Sequence, residues 1–321
     1  MDNGPTRRQW LQSLGAVGIA ATTGCMGGAD DDAEESVSGE STATPGSSAP
    51  PVEERTLPDD VGGWPMVGAD AANTGTAPES GPKAGVTAYW QFEADDRIAT
   101  DPAVVDGTVY VGSHDDHVYA LDATDGSELW AADHGIEETA PAVVDGTVYL
   151  ATHPGVIALS ATDGTQRWSA ELSGAELSAP SVVDGTVYLG LWDDNVYALD
   201  AADGTEQWRF DTGDDLPGSP AVADGTVFIA TEGGTVYALD ATDGTQQWRV
   251  ATDASVDAPV SVADDTVYAG MGAYVYAFDA ADGTRRWRFL DRIGQMSSPA
   301  VVDGVVVVGN GGGFVYALGE P

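Results

Sequence analysis

The sequence is poor in positive charge and almost free of thiols. Of 321 residues, 12 are Lys or Arg and 52 are Asp or Glu, giving a formal net charge of −40. Lysine occurs once, at Lys83. A nucleic-acid ligand needs a basic footprint for its phosphates, so that class is excluded. The single cysteine, Cys25, rules out an intrachain disulfide and a Cys-based metal cluster. No G-x-S-x-G, H-E-x-x-H, P-loop or Cys/His nucleophile pattern occurs, so no motif announces a catalytic centre.

What is present is a repeat. A tryptophan recurs at Trp90, Trp130, Trp168, Trp208, Trp248 and Trp287, in steps of 40, 38, 40, 40 and 39 residues. A turn aspartate recurs at Asp106, Asp145, Asp184, Asp224, Asp264 and Asp303. A fixed period near forty marks a repeat architecture. Placing Asp at every hairpin tip accounts for part of the acidity, but not for the lack of lysine. An acidic, lysine-poor surface resembles proteins of salt-loving microbes of the haloarchaeal type, where carboxylates stay hydrated and their repulsion is screened.

The first residues read as an address. Arg7-Arg8 precede a short, mildly apolar run of small residues, too short to span a bilayer. The pair resembles a twin-arginine export signal, and Thr22-Thr23-Gly24-Cys25 resembles a lipobox whose cysteine becomes the lipidated N-terminus. Residues 26–60 are Gly, Ser, Thr, Pro and acid without apolar period, a composition that cannot form a core. As a coil they would span roughly 30–35 Å. The expected organisation is a signal peptide over 1–24, an acidic linker over 25–63 and a globular body over 64–321.

Within Pro102–Trp130 four short strands are expected. Ala103-Val104-Val105 leads into Asp106-Gly107, a pair suited to a type I′ turn. Thr108–Gly112 and His117–Asp122 follow, then Asp125-Gly126 turns into the strand carrying Trp130. Four antiparallel strands per forty residues is the arithmetic of a β-propeller blade. Five copies are complete, and the sixth, Ser298–Leu318, lacks its tryptophan strand. Ala88–Glu93 is a tryptophan strand without its three predecessors. The expected fold is therefore all-β, a six-bladed propeller in which Ala88–Glu93 completes the last blade and leaves no open edge.

Asp122-x3-Gly126-x3-Trp130 resembles the pyrroloquinoline-quinone (PQQ) propeller repeat, in which a tryptophan docks each blade on its neighbour. The pattern returns as Asp200/Gly204/Trp208, Asp240/Gly244/Trp248 and Asp279/Gly283/Trp287, with Ser160 replacing the first Asp in the second copy. Trp64-Pro65-Met66 with Asp70-Ala71-Ala72-Asn73-Thr74-Gly75 is similar to the segment that often precedes the first strand in that family. The resemblance implies blade docking for Trp90, Trp130, Trp168, Trp208, Trp248 and Trp287. It also implies two kinds of relative. One is the barrel-assembly lipoproteins of bacterial outer membranes, whose propellers are protein-binding scaffolds. The other is quinone-dependent dehydrogenases, which hold PQQ and calcium on the axis. The adjacent cysteine pair of the alcohol-oxidising members is missing, and no calcium ligand or catalytic Asp can be matched.

Comparison among the copies selects a face. The turn Asp lies four residues before the next strand's aromatic or Val in every copy, and the second turn Gly lies four before each Trp. Length changes fall only between the second and third strands and between blades. Variable loops on a regular scaffold are where function concentrates. The candidate binding face thus comprises His114, Asp115, Asp116, His117, His153, Trp192, Asp193, Asp194, Asn195, Glu232, Tyr274 and Asn310. The run His114–His117 holds metal-ligand types, yet one tight loop cannot converge four side chains on an ion. No metal, PQQ or other cofactor is expected.

The sequence thus reads as a monomeric, non-catalytic propeller, exported and anchored by Cys25 at the outer face of the cell membrane. Its expected partner is another exported or membrane protein. A PQQ-dependent dehydrogenase and a surface ligand sensor or adhesion module are the alternatives.

Overall fold

The structure is a computed structural model. It describes residues 88–135, 139–172, 178–256, 258–290, 295–302, 305–311 and 313–319. The chain divides into units Met1–Ala49 and Pro50–Pro321, and everything described belongs to the second. Arg7, Arg8, Cys25, the acidic linker, the Trp64–Gly85 segment and Asp303 lie outside the described residues.

The described residues form six antiparallel sheets and no helix. The first holds β1 (Ala103–Val105), β2 (Thr108–Gly112), β3 (His117–Asp122) and β4 (Glu128–Asp133). The second holds β5 (Ala142–Val144), β6 (Thr147–Thr152), β7 (Gly155–Ser160) and β8 (Gln166–Glu171). The third holds β9 (Ser181–Val183), β10 (Thr186–Gly190), β11 (Asn195–Asp200) and β12 (Glu206–Asp211). The fourth holds β13 (Ala221–Ala223), β14 (Thr226–Ala230), β15 (Thr235–Asp240) and β16 (Gln246–Ala251). The fifth holds β17 (Ser261–Ala263), β18 (Thr266–Met271), β19 (Tyr274–Asp279) and β20 (Arg285–Leu290). The sixth has three strands, β21 (Ala300–Val302), β22 (Val305–Gly309) and β23 (Val315–Leu318). Strand order in each sheet follows the chain, and the first strand of each sheet touches the first strand of the next. This is the architecture of a six-bladed β-propeller.

Local sequence explains each element. Asp106, Asp145, Asp184 and Asp224 sit at φ 48–49°, each followed by a Gly at φ 68–78°, as a two-residue primed turn requires. The second and third strands are β-branched, aromatic and buried on both faces. In the first four sheets the fourth strands are buried mainly through the tryptophan. Each carries a bulge just before it: Ala120 pairs Trp130 while Leu121 pairs Glu128, so Leu129 is skipped. The same skip falls on Arg167 and Arg286. The bulge re-aims those side chains toward the first turn of their own blade. Arg167 bonds the Gly146 carbonyl, and Arg286 bridges Asp265 and Asp279 at 2.9 Å each.

The core is a set of layers between blades. Ala142, Tyr149 and Trp168 pack on Val187, Leu189 and Leu199 of the next sheet, and equivalent sets join the first to the second, third to fourth and fourth to fifth sheets. Burying one tryptophan removes 150–250 Å² from water, worth about 4–6 kcal/mol. The indole also donates to a backbone carbonyl of the next blade, as Trp168 does to Ala201 at 2.9 Å. Trp90, Trp130, Trp208 and Trp248 donate to the next blade in the same way, whereas Trp287 is 37% exposed.

The closing strand differs from expectation. Residues 88–93 do pack on the first sheet, with Trp90 and Phe92 against Val111, Tyr119 and Leu121. Trp90 donates to Ala123 at 2.9 Å, the bond that Trp130, Trp168, Trp208 and Trp248 make to their next blades. They form no ladder with β23, however. The other fourth strands are tied to their third strands by a short turn. Residues 88–93 have no such connection, and pairing them with β23 must close a loop of the whole ring. Val315 is accordingly 75% exposed.

Candidate functional site

The variable face carries one loop motif twice. In the first blade, Ser113–His117 folds back with Asp116 at φ 68°. The Asp115 carboxylate accepts from the His117 backbone N–H at 3.0 Å, the Tyr119 hydroxyl at 2.8 Å and the Asp95 backbone N–H at 3.0 Å. In the third blade Asp194 sits at φ 68°, and Asp193 accepts from the Asn195 N–H at 3.1 Å and the Tyr197 hydroxyl at 2.7 Å. His117 Nδ1 lies 2.9 Å from the Asp115 carbonyl, and Asn195 Nδ2 donates to the Asp193 carbonyl at 2.7 Å. Because the partner is a carbonyl, His117 carries its proton on Nδ1. Asp115, Asp193, His117 and Asn195 therefore hold the loops in shape.

The electrostatics follow from these contacts. Burial alone pushes the Asp115 carboxyl up, but the hydrogen bonds from Tyr119, His117, Ser113 and Asp95 outweigh it and hold it below the usual range. Burial and the Asp115 carboxylate push Tyr119 up to about 12, and burial with Asp193 does the same to Tyr197. The bond to Asp115 and the charges of Asp115 and Asp133 raise His117 against a smaller effect of burial. Asp215 is raised by burial and by the facing carboxylates of Asp194 and Asp214.

The remaining candidates sit on separate blades. His153 is exposed and shares a cleft of about 220 Å³ with His134, Thr152 and Glu171. Burial pushes the His134 imidazole down. Trp192 is half-buried at the third-blade loop tip, and Glu232 is exposed at the fourth. Tyr274 lies under the Arg288 guanidinium at 5.1 Å. Asn310 Oδ1 accepts from the Phe314 N–H at 2.9 Å and borders a second cleft of about 490 Å³ with Pro259, Met296 and Ser298. The structure brings His114–His117 together in one loop and Trp192–Asn195 in another. Among the described residues no three His, Cys, Asp or Glu side chains converge to hold a metal.

Sequence reading missed the tyrosines. Tyr119 and Tyr197 belong to the buried aromatic series, yet their hydroxyls lock the loops. The signal was in the sequence as Asp115-Asp116-His117-Val118-Tyr119 and Asp193-Asp194-Asn195-Val196-Tyr197. Asp214, in the loop entering the fourth blade, accepts from the Gly233 N–H at 2.7 Å and ties that loop to the blade's own tip.

Comparison with known proteins places this architecture. A PQQ-repeat family model described as outer membrane protein assembly factor BamB matches residues 83–188, 114–215 and 192–319. The chain belongs to this family. BamB from Moraxella catarrhalis is similar over 72% of the chain and 74% of its own length, at 24% identity and a TM-score of 0.63. The computationally designed Ika8 protein is similar over 70% of the chain and 71% of its own, at 18% identity and a TM-score of 0.63. Quinohemoprotein alcohol dehydrogenase ADHIIG from Pseudomonas putida HK5 matches 71% of the chain at 19% identity and a TM-score of 0.57. The chain spans only 48% of that enzyme. At these identities the likenesses establish the fold alone. No curated protein matches the chain.

The dehydrogenase likeness raises the question of PQQ with a cation, and among the described residues no three His, Cys, Asp or Glu side chains converge on one point. A cation-bound quinone needs several oxygen ligands around one point. Here the Asp115 and Asp193 carboxylates, on the loops of that face, are committed to tyrosine hydroxyls and backbone N–H groups.

Proposed function

We propose that this BamB-type propeller is a non-catalytic binding scaffold, exported through its twin-arginine signal. It is held by lipid on Cys25 at the outer face of the cell membrane. Its variable loop face engages another exported or membrane protein. The observation that carries the reading is the repeated loop lock. The first and third blades share the Asp–Tyr lock, the left-handed Asp and the His117 or Asn195 contact back to the loop, while the residue before the lock differs, His114 against Trp192. A constant frame displaying different tips is preorganised for recognition, because little side-chain and loop entropy remains to be lost on binding. Family membership over residues 83–319 supports the same reading.

Two measurements test it. Purified protein titrated with PQQ and calcium, with dye-linked oxidation of alcohols and sugars as readout, is expected to give neither stoichiometric binding nor turnover. Stoichiometric quinone binding with turnover makes the protein a dehydrogenase instead. Cys25→Ser is expected to move the protein from the membrane fraction to the medium in high salt. A variant that stays on the membrane contradicts the lipid anchor.

A further inference from the structure

The chain has four histidines in 321 residues, and all four fall within positions 114–153. His114 and His117 lie in the loop between β2 and β3, His134 follows β4, and His153 tips the turn between β6 and β7. The fold thus gathers every imidazole of the molecule on the variable face of two neighbouring blades.

His134 occupies a position whose structural work is done without its ring. The residue after the fourth strand donates its backbone N–H to the loop between the second and third strands of its own blade. His134 does so to Asp116, Leu172 to Pro154, Thr212 to Asp194 and Thr252 to Gly234, over 2.8–2.9 Å. Thr212 and Thr252 add a hydroxyl bond to the same carbonyl, and Leu172 packs on the core between the second and third sheets. The His134 imidazole makes neither contact among the described residues. It lines the cleft of about 220 Å³ that His153 lines from the second blade. Burial there, against the smaller pull of the Asp133 charge, favours its neutral form, which is the form that ligates a metal.

The turn that carries His153 is held as firmly. The Thr152 hydroxyl donates to the Gly155 carbonyl at 3.2 Å, and the Pro154 carbonyl takes the Leu172 N–H at 2.9 Å. A Cβ on Gly155 would run into the Ala170 carbonyl, so the turn lies tight against β8. Both rings stand on backbone fixed by other bonds, and holding a ligand between them costs little further order.

A single exposed loop histidine asks for no ligand. Here two of them, from two blades, share one concavity, while His117 is already held by the Asp115 carbonyl. An acidic surface concentrates cations of every kind. Carboxylates favour hard ones such as Mg²⁺ and Ca²⁺, whereas imidazole favours Zn²⁺, Ni²⁺ and Cu²⁺.

We propose that His134 and His153 form a two-imidazole site for one cation of the Zn²⁺ class, with water in the remaining positions. Two protein ligands fall short of the three or four of catalytic and structural zinc centres, so the site is a labile one. That agrees with the described residues, among which no three such groups converge. A bound ion joins the exit of the first blade to the tip of the second and stabilises the folded ring by mass action.

NMR of the imidazoles tests this on the purified full chain carrying Cys25→Ser, which removes the one thiol. The chain is titrated with Zn²⁺ in excess Mg²⁺. One equivalent of Zn²⁺ is expected to shift two of the four imidazole signals, those missing from His134→Ala and His153→Ala. Each of these variants is expected to weaken binding several-fold and to lose the rise in melting temperature that Zn²⁺ gives the parent. His117→Asn, which copies the third-blade loop, is expected to bind like the parent. Shifts that excess Mg²⁺ abolishes would assign the ion to carboxylates and overturn the proposal. So would shifts confined to His114 and His117, or binding that survives both His134→Ala and His153→Ala. A folded parent that takes up no Zn²⁺ overturns it without any variant.

Discussion

Trp168 lies so close to Gly204 of the next blade that a Cβ on the glycine would fall 2.6 Å from the indole. Gly204 also sits at φ 76°, in the left-handed region. Two separate demands, backbone and contact, thus require glycine at one position. Gly185, in the first turn of the same blade, has φ 78° but nothing within 4 Å of its would-be Cβ.

The pair separates the two demands. Gly185→Ala is expected to cost about 1–2 kcal/mol, the left-handed penalty alone. Gly204→Ala adds overpacking of about 1–3 kcal/mol to that. Denaturant unfolding of both variants at fixed salt checks the difference. Equal losses would mean that the indole does not rest on the glycine.

The loop locks predict a second pair. Tyr119→Phe and Tyr197→Phe each remove one hydrogen bond to a carboxylate and are expected to cost about 0.5–1.5 kcal/mol. In the folded protein both phenols are held up to about 12. The unfolded phenol ionises near 10. Stability is therefore complete below that value and falls as pH rises from it toward 12. Ultraviolet absorbance titration of each Phe variant should show one fewer late-titrating tyrosine than the parent.

His117 predicts a pH effect that Asn195 lacks. Its folded-state pKa is raised, chiefly by the bond to Asp115, with the charges of Asp115 and Asp133 facing it. The stabilisation is full below the unfolded value, near 6.5, and is lost as pH rises through the higher folded value. His117→Asn copies the third-blade solution and should fold normally without that slope. An NMR titration of the imidazole with a midpoint at or below the ordinary value would contradict the lock.

Asp215 predicts the opposite kind of effect. Burial and the Asp194 and Asp214 carboxylates raise its pKa, so its ionised form is disfavoured in the fold. Its contribution is favourable at low pH and declines as pH rises from the ordinary carboxylate value toward the raised one. Asp215→Asn should raise the melting temperature at neutral pH, by less in molar salt, where the repulsion is screened. A lower melting temperature at neutral pH and low salt would refute this placement.

Most of the ring was legible because its determinants are local. Asp106-Gly107 specifies a primed turn and the β-branched runs specify strands, each cause within a few residues of its effect. Docking is longer-ranged, Trp130 reaching Ala161 and Gly164 of the next blade, but the Gly-x3-Trp pattern is repeated, so the copies check one another. The loop lock was local too, four residues from Asp115 to Tyr119, but tyrosine alternation reads first as core and hid its hydroxyl role. The bulge that aims Arg286 at Asp265 and Asp279 leaves no trace in the period, because it shifts register without changing length. The seam was least legible. Whether 88–93 pairs with β23 depends on bringing together residues more than two hundred positions apart, and no local rule fixes that.

The central claim is that the variable loop face recognises a partner, and its most direct measurement is co-purification from detergent-solubilised membranes of cells producing matched variants. The account predicts that one exported or membrane protein is recovered in stoichiometric amount with the unsubstituted chain. It predicts loss of that protein with the double variant Trp192→Ala, Glu232→Ala, whose side chains tip two loops of the face. Asp243→Ser, on a turn of the opposite face, should leave recovery intact. Equal recovery with both variants, or loss with Asp243→Ser alone, would contradict the assignment of binding to this face.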